Sequence, residues 1–208
     1  MGSVSAAAKR LAKVTPDKTA FFVCDIQERF RTVIHAYPAV ISTAEKMLKA
    51  AKLLNVPVIA TEQNPKSLGA TVPLPLMDLP CPALRPEWVP LAKTKFSMIV
   101  PQVEQQLREW DTKHVVLMGI ETTLDLLARD IDVHVLADGI SSANADEVGL
   151  AIKRMRDAGA HITTSESILF QILDDAAHPA FKPIAGLIKE SKDATKSALE
   201  TLIAGKAL

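Results

Sequence analysis

Uninterrupted apolar runs, each ending in polar residues and each followed by a stretch of helical periodicity, restrict this chain more than any other feature. TAFFVCDIQ (Thr19 to Gln27) is the first such run, and VPVIAT (Val56 to Thr61), HVVLMGI (His114 to Ile120), VHVLAD (Val133 to Asp138) and HITTSE (His161 to Glu166) follow it. Strands buried on both faces read this way, because helices cover both sides of a parallel sheet. Between them, Tyr37 to Asn55 places Val40, Ala44, Met47, Leu48, Ala51 and Leu54 at helical spacing. Pro101 to Trp110, Thr122 to Asp130 and Asp146 to Gly159 read as further helices, the last with a glycine cap. Ser165 is expected to cap the helix after the last strand. LAKTKFSMI (Leu91 to Ile99) reads as a short strand or a structured turn. Such alternation implies a parallel sheet with helices on both faces, so ligands are expected just beyond the carboxyl ends of the strands.

The 208 residues suit one domain, and 48% hydrophobic residues can fill its core. We read residues 1–17 as a flexible N-terminal segment, 18–192 as the domain and 193–208 as a C-terminal helix or tail. The first of these carries Lys9, Arg10 and Lys13 and no acid before Asp17. It is read as a frayed terminus, with an organelle-targeting leader as the alternative. A Pro-rich loop, with Pro65, Pro73, Pro75, Pro80, Pro82, Pro86 and Pro90, joins the second strand to Leu91.

Lys+Arg and Asp+Glu both number 24. Nucleic-acid binders carry a basic surplus, so nucleic acid is not expected as a partner. No apolar run is long enough to span a bilayer, and no membrane association is expected. The two cysteines, Cys24 and Cys81, form no CxxC pair. That points to a reducing, intracellular compartment, cytoplasmic or mitochondrial, without a disulfide framework or structural zinc. The five histidines do not pair at i, i+4 or with a carboxylate cluster, so no metal is expected. GxGxxG and GxxxxGK[ST] are both missing, and no cofactor is expected.

Asp25 follows five apolar or small residues at the end of the first strand. A carboxylate there is expected to be partly desolvated, which suits it to act as a base. A lysine beside it would stabilise an anion. Lys93 and Lys95 are both candidates, since an extended segment points them to one face. Glu62, Gln63, Asn64 and Glu121 also follow strand ends.

VCDIQERF, TEQNPKSLGATVPLPL, LAKTKFSM, HVVLMGIE, TTLDLLARDIDVHVLADGISS and SESILFQILDDAAHPAFKPIAGLIKE resemble segments of the isochorismatase-like cysteine hydrolases, above all the isochorismatase domain-containing subgroup. The resemblance runs from about Lys18 to Lys192. It implies an α/β fold, a three-layer α/β/α sandwich around a parallel, doubly wound, Rossmann-like sheet of about six strands. It implies hydrolysis of a small amide, imide or vinyl-ether-type substrate by an Asp, a Lys and a Cys. The Asp matches Asp25. The Lys of the K-x-x-[FY]-S motif matches Lys93, with Phe96 and Ser97 after it, which decides against Lys95. Gln27, Phe30, Gln63, Phe96, Ile120 and Glu121 are the expected substrate-binding residues, with a cis peptide at Ile120–Glu121. A homo-oligomer is implied as well.

The resemblance fails at the nucleophile. Relatives carry a cysteine a few residues after the GIE-like strand end, whereas here TTLDLL follows GIE at once, about two helical turns early. No cysteine lies between Gly119 and Gly139. The residues agree independently: Thr122 to Asp130 gives nine residues to a crossover that needs about a dozen. Either a segment carrying the nucleophile is missing from this sequence, or the protein is a non-catalytic relative. A missing segment would leave the Glu121–Thr122 junction longer than the roughly 1.33 Å of a peptide bond.

Overall fold

The computed structural model describes residues 13–74, 89–120 and 123–203. Six strands form one parallel sheet: β1 (Thr19–Cys24), β2 (Val58–Gln63), β3 (Leu91–Lys93), β4 (His114–Gly119), β5 (Asp132–Ile140) and β6 (His161–Thr163). Their order is β3-β2-β1-β4-β5-β6. The chain winds outward from β1 through β2 to β3, then returns to start β4 on the other side of β1. The switch point, where such sheets open a crevice, therefore lies between the ends of β1 and β4.

Eight helices among the described residues are α1 (Tyr37–Leu54), α2 (Pro65–Leu68), α3 (Pro101–Glu109), α4 (Thr123–Leu127), α5 (Ala145–Asp157), α6 (Ser165–Leu173), α7 (Phe181–Glu190) and α8 (Lys192–Leu202). One core joins α1, α6, α7 and α8 to Phe21, Val23, Val116, Met118 and Leu136. The other joins α3, α4 and α5 to Ala20, Phe22, Cys24, Val115, Leu117 and Val135. The alternation along each strand makes the three layers: successive side chains point to opposite faces, and both faces are covered.

Several element boundaries differ from expectation. β1 stops at Cys24 rather than Gln27, because Asp25 takes a left-handed conformation (φ 51°) that a strand cannot continue through. β2 begins at Val58 and runs on to Gln63. Thr164, not Ser165, caps α6, accepting from the Ser167 N–H, while Ser165 bonds Asp138 through both its N–H and its hydroxyl. α8 stands where a C-terminal helix or tail was expected, and Thr195, Ala198 and Leu202 on it are buried. Val14 is fully buried too, although the sequence suggested a flexible segment through residue 17. The Pro-rich loop from Pro75 to residue 88, Cys81 within it, Glu121 and Thr122, and residues 204–208 lie outside the described residues. No helix among the described residues is long and apolar enough to cross a membrane.

At the amino ends of the strands, far from the switch point, His134 stacks on His161 with ring centroids 4.9 Å apart, and His114 lies tilted against His134 at 5.6 Å. His134 is buried, and its Nδ1 has no hydrogen-bond partner. Burial first, then its two imidazole neighbours, push its pKa down to about 3. An unfolded chain takes up this proton near pH 6.5, while the folded one refuses it until about 3. Stability is therefore full above pH 6.5 and falls as pH drops from there toward 3, by up to about 1.4 kcal/mol per unit. His134→Val should flatten that acid limb, measured as urea unfolding at pH 7 and pH 4.5. Parallel losses in the variant and the parent would show that the imidazole is not the cause.

Candidate active site

Asp25 is set by its neighbours at the switch point. Its left-handed backbone turns the carboxylate off the strand direction, and its N–H bonds Thr61 O on β2 at 3.2 Å. Oδ1 accepts from the Thr61 hydroxyl at 2.7 Å, and Oδ2 accepts from Lys93 Nζ at 2.6 Å. Both side chains are buried, at 8% and 1% exposure. A charge removed from water this far is tolerated only when paired and hydrogen-bonded. Lys93 meets that condition fully. Besides Asp25, its ammonium donates to Gln63 Oε1 (2.9 Å), Phe96 O (3.1 Å) and Lys95 O (3.2 Å). β3 ends at Lys93, and the bend after it parts the two candidate lysines. Lys95 is about half exposed and reaches Ile99 O instead.

The other expected residues divide. Gln63 stands in the site: its Oε1 holds Lys93 while its Nε2 donates to Thr94 O. Ile120 borders it, its N–H bonded to Cys24 O at 2.9 Å. Gln27 is fully buried, and its amide is bonded to backbone groups of Gln63 and Gly69. It ties the end of β2 to the turn after α2. Phe30 is half-buried and packs edge-on against Tyr37, with centroids 6.5 Å apart. Phe96 is 83% exposed, so in this chain its ring covers nothing, although its carbonyl holds Lys93. Glu62 fastens the loop by accepting from the Thr71 N–H and hydroxyl. Glu121 and the Ile120–Glu121 peptide lie outside the described residues, and no cis peptide occurs among those described.

Sequence reasoning missed two members. Thr61 ends the apolar run VIAT within β2 and bonds Asp25, and a polar residue ending an apolar run was its signal. Gly119 is the register partner of Cys24 and has φ 114°. A Cβ on it would lie 2.1 Å from Cys24 O. β4 thus approaches the end of β1 more closely than any side chain allows.

Among the described residues the one thiol is that of Cys24. Cys24 is buried in the core on the α3/α4/α5 side. Among the described residues, no three His, Cys, Asp or Glu side chains are grouped to hold a metal ion. A cavity of about 590 Å³ opens beside Gly119 and Ile120, walled by Leu117, Thr123, Val135, Ile140 and Met155. It occupies the side of β4 and β5 that the five-residue α4 is too short to cover.

The sequence profile of the Isochorismatase domain matches residues 19–167. The chain is 45% identical over 195 residues to isochorismatase domain-containing protein 2 of Homo sapiens, covering 90% of this chain and 91% of that protein. It superposes on the MAR1 ribonuclease from Caenorhabditis elegans with a TM-score of 0.81 and 38% identity, over 95% of this chain and all of the other. The YcaC gene product of Escherichia coli, an octameric hydrolase of unknown specificity, shares the fold at a TM-score of 0.69 and 15% identity, over 92% of this chain and 91% of that one. A parallel sheet whose switch point holds Asp25 and Lys93, a profile match over most of the chain and relatives of nearly equal length lead to one conclusion: the chain belongs to the isochorismatase family.

Proposed function

We propose that this protein is a hydrolase of a small amide, imide or vinyl-ether-type substrate. Its thiol nucleophile belongs to a segment between Glu121 and Thr122 that the 208-residue sequence lacks. The buried Asp25–Lys93 pair carries this reading. A buried ion pair is weak evidence of stability, because apolar residues of similar volume do as well, so its place at the switch point argues for chemistry. A carboxylate oxygen has two acceptor positions. Asp25 can thus take a thiol proton while still bonded to Thr61 and Lys93. The thiolate attacks the substrate carbonyl and Asp25 returns the proton to the leaving group, leaving a thioester; water then attacks the thioester as Asp25 takes its proton and passes it to the departing thiolate, while the ammonium of Lys93 stabilises the charge nearby. Gln63, Ile120 and Glu121 are the substrate contacts we favour.

The cavity supports the missing segment. The pocket, about 590 Å³, opens to solvent past the exposed Glu147, Ala151 and Arg154, and its inner wall is the apolar side of β4 and β5. Two helical turns, about seven residues, would occupy it without changing the phase of the apolar face of α4.

One observation favours a second reading, a non-catalytic member that binds a small molecule. Lys93 has all its donors engaged, so the pair is complete without a thiol. Intact mass of the protein from its natural source separates the two. Several hundred daltons above 22.5 kDa supports the segment, and a mass of 22.5 kDa with no turnover supports the second reading. Under either reading, the 208-residue chain expressed alone should hydrolyse nothing. Turnover by that chain would overturn the cysteine mechanism. We also propose a homo-oligomer, in line with the octameric relative and with the exposed Phe96, Val89, Leu150 and Val33.

A further inference from the structure

β1 leaves the sheet before β2 does. Cys24 is the register partner of Thr61, and the Asp25 N–H still bonds Thr61 O at 3.2 Å. In a parallel ladder the next two bonds would run from the Gln63 N–H to the carbonyl of Asp25, and from the N–H of Gln27 to Gln63 O. The left-handed turn at Asp25 (φ 51°) takes the backbone out of the ladder, and neither of those backbone bonds forms. The N–H and C=O left over belong to the residue whose side chain holds Lys93.

The side chain of Gln27 makes both bonds instead. Its Oε1 accepts from the Gln63 N–H at 2.8 Å, and its Nε2 donates to Gln63 O at 3.1 Å. A carboxamide carries the donor and the acceptor of a peptide group, so it can replace one in the ladder. The remaining Nε2 hydrogen goes to Gly69 O at 2.6 Å. Tyr37, itself buried, donates its hydroxyl to Gln27 O at 2.8 Å and fixes the backbone from which the amide reaches. Gln27 is fully buried, so it acts through the groups it bonds.

We propose that Gln27 is the positioning residue of the switch-point pair. It keeps β2 ordered to Gln63 while β1 turns away at Asp25, and Gln63 in turn holds the ammonium of Lys93 against the carboxylate. Both halves of the pair depend on this one amide. The turn that aims Asp25 costs β2 two ladder bonds, and Gln27 restores them. Methionine would fill the space and pair nothing, and asparagine, one methylene shorter, would not reach. That the pair performs hydrolysis rests on the hydrolase reading, whereas its being held by Gln27 does not.

Proton exchange of the Lys93 ammonium, followed by NMR of the 208-residue chain labelled at its lysine nitrogens, tests this at pH 5.5. Four acceptors surround that buried ammonium, so its protons should exchange slowly enough to be seen. Lys93→Met identifies the signal. The ammonium of Lys46 is the internal reference, since it is buried and donates to the Thr195 hydroxyl at 2.7 Å, between α1 and α8. Gln27→Met should speed Lys93 exchange about tenfold, the equivalent of one lost hydrogen bond, and leave Lys46 unchanged. Gln27→Asn should do the same, and it decides if Gln27→Met does not fold. Gln27→Glu should stay close to the parent. Burial beside two carbonyl oxygens disfavours its charged form, and a neutral acid keeps one donor and one acceptor. In a Gln63→Met background Gln27→Met should add nothing, because Gln63 carries its effect. Unchanged Lys93 exchange in Gln27→Met and Gln27→Asn, equal speeding of Lys93 and Lys46, or loss of the fold in both variants would overturn the proposal. The intact mass, which tests the hydrolase reading, is independent of every one of these outcomes.

Discussion

Gly119→Ala should be among the most damaging single changes this chain can suffer, costing about 4 kcal/mol or more in urea unfolding. The added Cβ would meet Cys24 O at 2.1 Å and Cys24 C and N at 2.9 Å. All three are backbone atoms of the neighbouring strand, so no side chain can swing aside. Relief requires β4 to move away from β1, which breaks the Ile120 N–H to Cys24 O bond and shifts the turn that aims Asp25. Gly159→Ala is the control. Gly159 has a similar φ of 109° but open space around it. Only backbone strain is felt there, about 1–2 kcal/mol. If the two variants lose equal stability, the close approach of the strands is not what Gly119 permits.

The same residues show how far the sequence could be read. Apolar runs gave the parallel sheet because a strand buried on both faces leaves no polar position to break the pattern. They could not give the end of β1. VCDIQ looks equally extended throughout, and only the left-handed φ of Asp25 ends the strand after Cys24. Lys93 and Lys95 were equal in spacing, and a bend after β3 that no local pattern announces sends one inward and the other to solvent. Thr61 and Gly119 were not read as site residues for a related reason. Each acts on a strand distant in sequence, so its role exists only once β1 lies between β2 and β4. Gln27 shows the converse. A polar residue close to Asp25 invites a ligand role, and its amide is bonded to backbone groups of Gln63 and Gly69. The shortened crossover was legible from length alone, because geometry fixes how many residues a parallel connection needs.

Lys93→Met carries the second large effect. Methionine matches the length and apolar stem of lysine, so packing is nearly kept while the ammonium goes. Asp25 then remains buried with the Thr61 hydroxyl as its side-chain partner. Breaking a buried pair from one side costs about 3–5 kcal/mol, because the survivor is an uncompensated charge. Three acceptors lose a donor as well: Gln63 Oε1 and the carbonyls of Lys95 and Phe96. The segment from Lys93 to Phe96 should therefore loosen, seen as faster amide exchange there than in β1. Asp25→Asn combined with Lys93→Met removes both charges and keeps a residue suited to the left-handed backbone at φ 51°, and it should recover a large part of the loss. That recovery separates the two uses of the pair. If the double variant is nearly as stable as the parent, the fold does not need the charges, and their retention at the switch point argues for chemistry. If the double variant is as unstable as Lys93→Met alone, the lysine serves mainly to order the backbone after β3. The pair would then be a structural clasp, and the hydrolase reading would lose the observation that carries it.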